Sequence, residues 1–205
     1  FFSFDVQMKS KLTEALFPNL STPDDFFLSG TISSDVKETA VVFDIPILSF
    51  EKYKFKGLHF ETDSNNPIYT SFMSADQIRI AALETNDLFL ISSPKNKKNQ
   101  IRLEGIIGTI ESNTFEANFS YTQDNSSTVI DISEFNLKSD TILWKLEKTI
   151  GNQIVYDSKI KAFKVNPIAI ANSEQRIQLA GMFSSKNEFD FQLDLKDVAI
   201  ESFLP

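Results

Sequence analysis

The stretch Phe26-Phe27-Leu28-Ser29-Gly30 recurs twice along the chain, as Ile101-Arg102-Leu103-Glu104-Gly105 and as Ile177-Gln178-Leu179-Ala180-Gly181. The three glycines are 75 and 76 residues apart (105 − 30 and 181 − 105). Each copy ends one run of alternating apolar and polar residues and leads into another, a pattern typical of β-strands. This recurrence predicts a repeated β unit, with approximate repeats at 26–100, 101–176 and 177–205.

Alternation with a period of two dominates the rest of the chain, as in Phe2 to Met8 and Phe189 to Leu195. Clusters of Asn, Ser and Pro, such as 63–67, separate these runs and favour chain reversal. Helix is predicted only for Leu12 to Phe17, which Pro18 ends, and for a single turn from Ala199 to Phe203. Short connections with so little helix predict an all-β fold, a curved antiparallel sheet of repeated hairpins with one or two very short helices.

The two ends of the chain resemble each other. Phe2-Ser3-Phe4-Asp5-Val6 near the start corresponds to Phe189-Asp190-Phe191-Gln192-Leu193 near the end. We therefore expect residues 1–205 to be one segment of a longer repetitive protein. Strands at the cut ends would be unpaired, and unpaired strand edges predict self-association of the isolated segment.

Composition excludes several classes of function. A hydrophobic content of 41% with 20 Phe indicates a globular chain whose large apolar surface is either buried in a core or exposed for binding. A net charge of −8 argues against nucleic acid as a partner, because phosphate binding needs clustered Lys and Arg, and the one basic run, Lys95 to Lys98, is predicted to be a turn. With no cysteine, the chain has neither disulfides nor a thiolate metal site.

The residues needed for catalysis are sparse. His59 is the only histidine, and no nucleophile elbow accompanies it, so a strand histidine is the preferred interpretation. Two Ser-x-x-Lys matches, Ser49 to Lys52 and Ser92 to Lys95, lack the companion motifs of that chemistry. Adjacent acidic residues such as Asp24 and Asp25 are typical of turns. We predict that the chain is not an enzyme and uses no cofactor or metal.

The order of these phrases resembles the repetitive β region of the TamB and AsmA-like proteins of Gram-negative envelopes. Because each phrase is common in β proteins, the resemblance rests on their order and spacing, which cover nearly the whole chain. The phrases are the Phe-x-Phe-x-Val strand from Phe2, the helix ending in Leu16-Phe17-Pro18, Leu28-Ser29-Gly30, Asn65-Asn66-Pro67-Ile68-Tyr69, Thr141-Ile142-Leu143-Trp144-Lys145-Leu146, Asn172 to Gly181, and the closing strand from Phe189.

The resemblance implies a fold, a location and partners. The family's stacked strands form an open trough, often called a β-taco, in an inner-membrane-anchored protein that spans the periplasm. The trough carries phospholipid towards the outer membrane, and family members are linked to outer-membrane biogenesis and protein secretion. The implied partners are lipid acyl chains, the remainder of the protein's own longer chain and, through regions outside this segment, an outer-membrane β-barrel assembly protein.

Such a trough needs a continuous apolar path, because exposing an acyl chain of some sixteen carbons to water costs on the order of 12 kcal/mol. Strand alternation supplies this path by directing every second residue inward. The predicted lining residues are Phe4, Val6, Ile78, Ile80, Phe115, Phe119, Tyr121, Ile142, Trp144, Ile177, Leu179, Phe189, Phe191, Leu193 and Leu195.

Three other functions remain open at this stage. An open sheet has free edges, which suit a scaffold that binds the strands of outer-membrane client proteins by β-augmentation. Alternation is equally expected in the core of a closed β-sandwich or barrel that binds small ligands. A hydrolase is the least favoured alternative. The repeat and the family resemblance favour the lipid trough.

Overall fold

A computed structural model of the chain describes residues 1–16, 19–66, 68–95, 98–124, 126–148, 151–184 and 189–198. These residues are mostly β-strand, and the predicted all-β fold is confirmed. The strands are β1 (Phe2–Met8), β2 (Leu20–Ser21), β3 (Phe26–Ser33), β4 (Glu38–Phe50), β5 (Tyr53–Asp63), β6 (Ser71–Ile80), β7 (Leu83–Lys95), β8 (Lys98–Ile107), β9 (Thr114–Gln123), β10 (Ser127–Ser139), β11 (Ile142–Leu146), β12 (Gln153–Asp157), β13 (Ala162–Ala171), β14 (Arg176–Ser184) and β15 (Phe189–Lys196).

The fifteen strands of the described residues form one antiparallel sheet. Its order is β1-β3-β4-β5-β6-β7-β8-β9-β10-β11-β13-β14-β15, and β2 pairs with β4 while β12 pairs with β10 and β13. Strands that follow each other in the chain are therefore mostly neighbours, as expected of repeated hairpins.

The predicted first helix is confirmed as α1 (Ser10–Leu16). Thr13 on this helix is buried, and its hydroxyl donates a hydrogen bond to the backbone oxygen of Lys9 at 3.3 Å. The second predicted helical turn, Ala199 to Phe203, lies outside the described residues.

The chain divides into two compact units. Unit 1 comprises Phe1–Pro94 and Ile101–Phe115, and its pairing runs from β1 through β3, β4, β5 and β6 to β7. Each of these ladders keeps one constant register along its length, so side chains at paired positions lie side by side on the same surface.

Unit 2 comprises Lys95–Gln100 and Glu116–Pro205. The short strands β11 and β12 occupy the same place in the sheet, because both lie between β10 and β13. The register of β13 against β14 shifts between Val165 and Ile168. Such a bulge adds one residue on one strand and changes which alternate positions share a face.

Few side chains of the described residues are fully buried. The buried hydrophobic residues are Ala75, Leu88, Ala117, Trp144, Ala162 and Ala169. Four of these six are alanines, so burial here reflects close strand packing more than a thick apolar core. Most of the larger apolar side chains remain partly or largely exposed.

Candidate functional site

One row of apolar side chains crosses six neighbouring strands of unit 1. Each member is directly opposite the next in the ladder, and the row consists of Val6, Leu28, Phe43, Phe60, Met73 and Leu90. The rings of Phe43 and Phe60 stack with their centroids 5.1 Å apart. Six strands spaced about 4.8 Å apart carry this row across roughly 24 Å. We call the surface that carries it the hydrophobic face of unit 1.

Rows on either side of this one share the same face, because alternate residues of a strand point the same way. On one side lie the pairs Met8–Phe26, Ile45–Leu58 and Ala75–Leu88. On the other side Phe4, Gly30 and Val41 are paired in sequence. Two of the predicted lining residues, Phe4 and Val6, are therefore brought onto this face.

The opposite face of the same strands is mixed in character. The row next to the hydrophobic one consists of Gln7, Phe27, Asp44, His59, Ser74 and Phe89. Beyond the strand ends, Lys9 donates to Asp25 at 2.6 Å, and this hydrogen bond lowers the pKa of the Asp25 carboxyl. The two faces thus differ in polarity.

Hydrophobic positions change from odd to even numbers, or the reverse, halfway along three adjacent strands. The two sets are Leu58 and Phe60 against Tyr53 and Phe55 on β5, Met73 and Ala75 against Ile78 and Ile80 on β6, and Leu88 and Leu90 against Leu83 on β7. The pairing register is the same on both sides of this change.

Backbone conformation marks this change on β5 and β7. Gly57 and Asp87 lie at the change and have positive φ angles of 57° and 47°. A residue in this left-handed conformation interrupts the alternation of side-chain direction along a strand. The predicted residues Ile78 and Ile80 are paired with Phe55 and Tyr53 of the second set.

Polar residues occupy the remaining positions at this end of β5, β6 and β7. Glu84 accepts hydrogen bonds from Arg79 Nε at 3.0 Å and from Gln77 at 2.8 Å. The hydrogen bonds from Arg79, above all, lower the pKa of the Glu84 carboxyl. A charged network and an apolar row therefore occupy alternate positions on the same strands.

Unit 2 presents a hydrophobic face of its own on its outer strands. Every β14–β15 pair on this face is apolar or glycine, namely Ile177–Leu195, Leu179–Leu193, Gly181–Phe191 and Phe183–Phe189. Strand β13 extends the four rows with Ile170, Ile168, Val165 and Phe163, and the bulge keeps all four on one side. Six predicted lining residues, Ile177, Leu179, Phe189, Phe191, Leu193 and Leu195, are brought together here.

An aromatic row forms one end of this face. Tyr156 pairs with Phe163, Phe163 with Phe183, and Phe183 with Phe189. The centroids of the Tyr156 and Phe163 rings are 4.6 Å apart. Phe189 is 72% exposed and Leu193 in a neighbouring row is 60% exposed, so this face is open to solvent.

Four of the other predicted residues lie on inner strands of unit 2. Phe119 and Tyr121 are half-buried on β9, on the same side of that strand as the buried Ala117. Ile142 pairs with Ser139 at the start of β11. Trp144, opposite Leu137, is only 1% exposed and offers no accessible surface to a ligand. Phe115, at the beginning of β9, belongs to unit 1 and lies against Gly105.

His59 lies between an aspartate and a serine on the mixed face of unit 1. Its Nδ1 atom is 2.5 Å from Oδ1 of Asp44, and Ser74 is its paired neighbour on β6. Among the described residues, no hydrogen bond joins Ser74 to His59, and the Nε2 atom lies 4.0 Å from Oε2 of Glu61. The three residues share a row, but the serine is not joined to the imidazole.

A polar cavity of about 680 Å³ opens where β11 and β12 separate, and Asp131, Asn152, Gln153 and Asn166 contribute to its lining. The polar groups bond to one another, since Gln153 donates to Asp131 at 2.6 Å and Asn166 donates to Gln153 at 3.3 Å. The described residues contain no cluster of three or more His, Cys, Asp or Glu side chains suited to a metal ion.

Sequence reasoning missed most of the central row of unit 1. Leu28, Phe43, Phe60, Met73 and Leu90 were not predicted as lining residues. On β4 apolar residues follow one another without alternation, and on β5 the phase changes at Gly57, so no single period identifies the face. In the aromatic row of unit 2 Phe189 was predicted, whereas Phe163, Phe183 and Tyr156, which lies on a strand of only five residues, were missed.

No protein family model, curated protein or solved structure matches this chain. Within the part of the chain that the structure describes, no helix has the length and apolar character needed to cross a membrane.

Proposed function

We propose that the hydrophobic faces bind the acyl chains of lipids, and that the chain is a section of a lipid-conducting β structure that supports phospholipid transport and outer-membrane biogenesis. The row from Val6 to Leu90 carries this proposal. In a bilayer an acyl chain spans about half of the hydrocarbon core, roughly 15 Å. The row, at roughly 24 Å, is long enough to accommodate that length.

The chemistry of the row suits a passive path for acyl chains. None of its six members carries a charge or a hydroxyl group, so an acyl chain resting on it desolvates no polar group. Each methylene removed from water contributes about 0.8 kcal/mol. Binding to this row requires no specific contact with individual atoms of the acyl chain, and the lipid head group can remain in water.

The exposure of apolar side chains in unit 2 favours an open face rather than the sealed core of a sandwich. Leu193 is 60% exposed, and Leu195, Phe163 and Phe183 are each more than 40% exposed. Contiguous apolar surface of this kind is typical of interaction sites. The periplasmic location and the inner-membrane anchor follow from the family resemblance and belong to the proposal.

A second candidate function rests on the strand edges. In the described residues, β1 pairs only with β3 and β15 pairs only with β14. Each leaves one row of backbone groups available for an added strand. A scaffold that binds outer-membrane client strands by β-augmentation would use these edges.

Site-specific photo-crosslinking tests the first proposal against the second. A benzophenone amino acid is placed at Leu193 or at Gln192, in the protein expressed in a Gram-negative cell. The two positions are adjacent, both exposed, and on opposite faces of β15. We expect lipid to be captured at Leu193 and only background at Gln192. Phe119 and Asn118 on β9 provide a second pair of the same design.

Equal lipid capture at both positions of a pair, or none at either, contradicts a one-sided lipid face. Capture of unfolded outer-membrane protein at both positions of β15, without lipid, favours the scaffold, because an added strand contacts the edge whichever face the probe is on.

A further inference from the structure

The glycines of the three repeated phrases share an unusual environment. A phenylalanine ring from the adjacent strand fills the space that a side chain would take. The pairs, with the distance from the position of a glycine Cβ to the nearest ring atom, are Gly30 with Phe4 at 2.8 Å, Gly105 with Phe115 at 3.0 Å, and Gly181 with Phe191 at 2.7 Å. At Gly30 and Gly181 a Cβ would lie closer still to the backbone oxygens of Ala40 and Asp190, whereas at Gly105 the nearest atoms belong to the Phe115 ring.

The pairs recur with the repeat. Gly30, Gly105 and Gly181 lie on β3, β8 and β14, and each of these strands is five positions from the next in the strand order. All three phenylalanines belong to the predicted lining set. A glycine–phenylalanine contact therefore occurs at every fifth strand, with the ring coming from the preceding strand at Gly30 and from the following strand at Gly105 and Gly181.

Backbone conformation does not explain two of these glycines. Gly181 has a φ of 150°, which disfavours other residues, whereas neither Gly30 nor Gly105 is among the residues with positive φ. At Gly30 a larger residue would meet the backbone oxygen of Ala40 as well as the Phe4 ring, and at Gly105 it would meet the Phe115 ring. Covering a strand glycine with a cross-strand aromatic ring is a known way to stabilise it.

The pairs lie on the surfaces that carry the apolar rows. Gly30 is paired with Val41 in the row beside the central row of unit 1. A Cβ on Gly105 would lie 3.2 Å from Cγ2 of Thr85, which is opposite Ile78. Gly181 lies between Val165 and Phe191 on the hydrophobic face of unit 2.

We propose that the glycine–phenylalanine pairs set the depth of the lipid-binding face, an inference that rests on the proposed function. A ring lying over glycine keeps the surface low, so an acyl chain can lie across it. With a larger residue in place of the glycine, the ring must turn away from the sheet and stand in the path of the chain. The glycines are positioning residues that act through the rings.

The pair Gly105–Phe115 offers a direct test. The variants are Gly105→Ala, Gly105→Val, Phe115→Ala and the double variant Gly105→Val/Phe115→Ala, with Glu104→Val on the neighbouring strand position as a control. The measurement is the affinity of the purified full chain for radiolabelled dipalmitoyl phosphatidylethanolamine, with circular dichroism and thermal melting to follow the fold.

We expect Gly105→Val to bind the phospholipid about tenfold more weakly. Overpacking of a contact typically costs about 1–3 kcal/mol, and about 1.4 kcal/mol corresponds to a tenfold change in affinity. Gly105→Ala should lose about threefold. Removing the ring in the double variant should restore the affinity to near that of the original chain, and Glu104→Val should leave it unchanged. Rescue by removal of Phe115 separates a role in the lipid path from a role in stability alone.

Two failures are distinguishable. If the original chain binds no phospholipid, the proposed function is overturned. If it binds phospholipid and the folded Gly105 variants bind equally well, the function stands and the role of the pairs is overturned. Should Gly105→Val not fold, Gly105→Ala decides the question, because an affinity equal to that of the original chain contradicts the proposal.

Discussion

Trp144 is the largest of the fully buried side chains among the described residues. Its position opposite Leu137 makes it an anchor between β10 and β11, so its contribution is to stability rather than to an accessible lining. We expect Trp144→Ala to lower the free energy of unfolding by about 3–5 kcal/mol, the range for removing a buried aromatic side chain. Urea denaturation followed by circular dichroism measures this.

The neighbouring Leu143 is 43% exposed and provides the control. Leu143→Ala should change the stability by no more than about 0.5 kcal/mol, as is typical of surface positions. If both variants cost the same, Trp144 is not the anchor that its burial indicates.

Glu84 links local electrostatics to pH dependence. Its hydrogen bonds with Arg79 lower its pKa in the folded state. The resulting stabilisation is present above the ordinary glutamate pKa of about 4.3 and is lost as the pH falls through the lower pKa of the folded state. Glu84→Gln should therefore flatten the dependence of the melting temperature on pH below about 5.

The exposed Glu111, in the turn between β8 and β9, is the matched control for this measurement. Glu111→Gln should leave the pH dependence close to that of the original chain. Parallel curves for Glu84→Gln and the original chain would show that the Arg79 contact does not contribute.

At the scale of the strand, alternation predicted the faces where it was regular. On β15 every second residue from Phe189 to Leu195 is apolar, and the structure places all four on one face. On β5 the phase changes at Gly57, whose positive φ redirects the side chains. A period-2 pattern contains no information about such a residue, because it records the polarity of side chains and not the conformation of the backbone.

Pairing across strands was likewise beyond the sequence. The central row of unit 1 joins β1, β3, β4, β5, β6 and β7, and its continuity depends on five registers that no single strand specifies. Alternation says which residues of one strand share a face, whereas the ladder decides which residues of two strands meet.

A charge placed in the central row tests its continuity. Met73 lies between Phe60 and Leu90, so an acyl chain crossing the row at Met73→Glu would strip water from a carboxylate. We expect phospholipid affinity to fall at least about tenfold, a change that requires about 1.4 kcal/mol. Binding of radiolabelled phosphatidylethanolamine measures it.

Ser74 is adjacent on β6 and faces the other way, between His59 and Phe89. Ser74→Glu adds the same charge to the same strand, and we expect its lipid affinity to match that of the original chain. Equal losses in the two variants would mean that the charge acts through the overall field or the fold and not through the row.

At the scale of the whole molecule, the sequence predicted a repeat from three similar phrases at nearly equal spacing. The structure shows which contact the glycine of each phrase makes. Each repeated glycine lies against a phenylalanine ring from an adjacent strand, and these contacts recur five strands apart. Sequence reasoning identified the glycines and the phenylalanines separately but had no means of pairing them.

The ends of the strand order determine how the chain should behave in solution. β1 and β15 each have one neighbour in the sheet of described residues, and β15 is apolar on one face and polar on the other. A second copy pairing with this edge would gain backbone hydrogen bonds and extend the apolar rows at once. We expect the 205-residue chain to self-associate as its concentration rises, measured by sedimentation velocity.

Two lysine variants separate these contributions. Leu193→Lys places a charge in the apolar row of the edge strand, whereas Gln192→Lys adds the same charge on the opposite face. If association joins the hydrophobic faces as well as the edges, Leu193→Lys should shift it to higher concentration and Gln192→Lys should have little effect. Equal shifts would mean that edge hydrogen bonding or net charge governs the contact, and a chain that stays monomeric throughout would rule out edge pairing between copies.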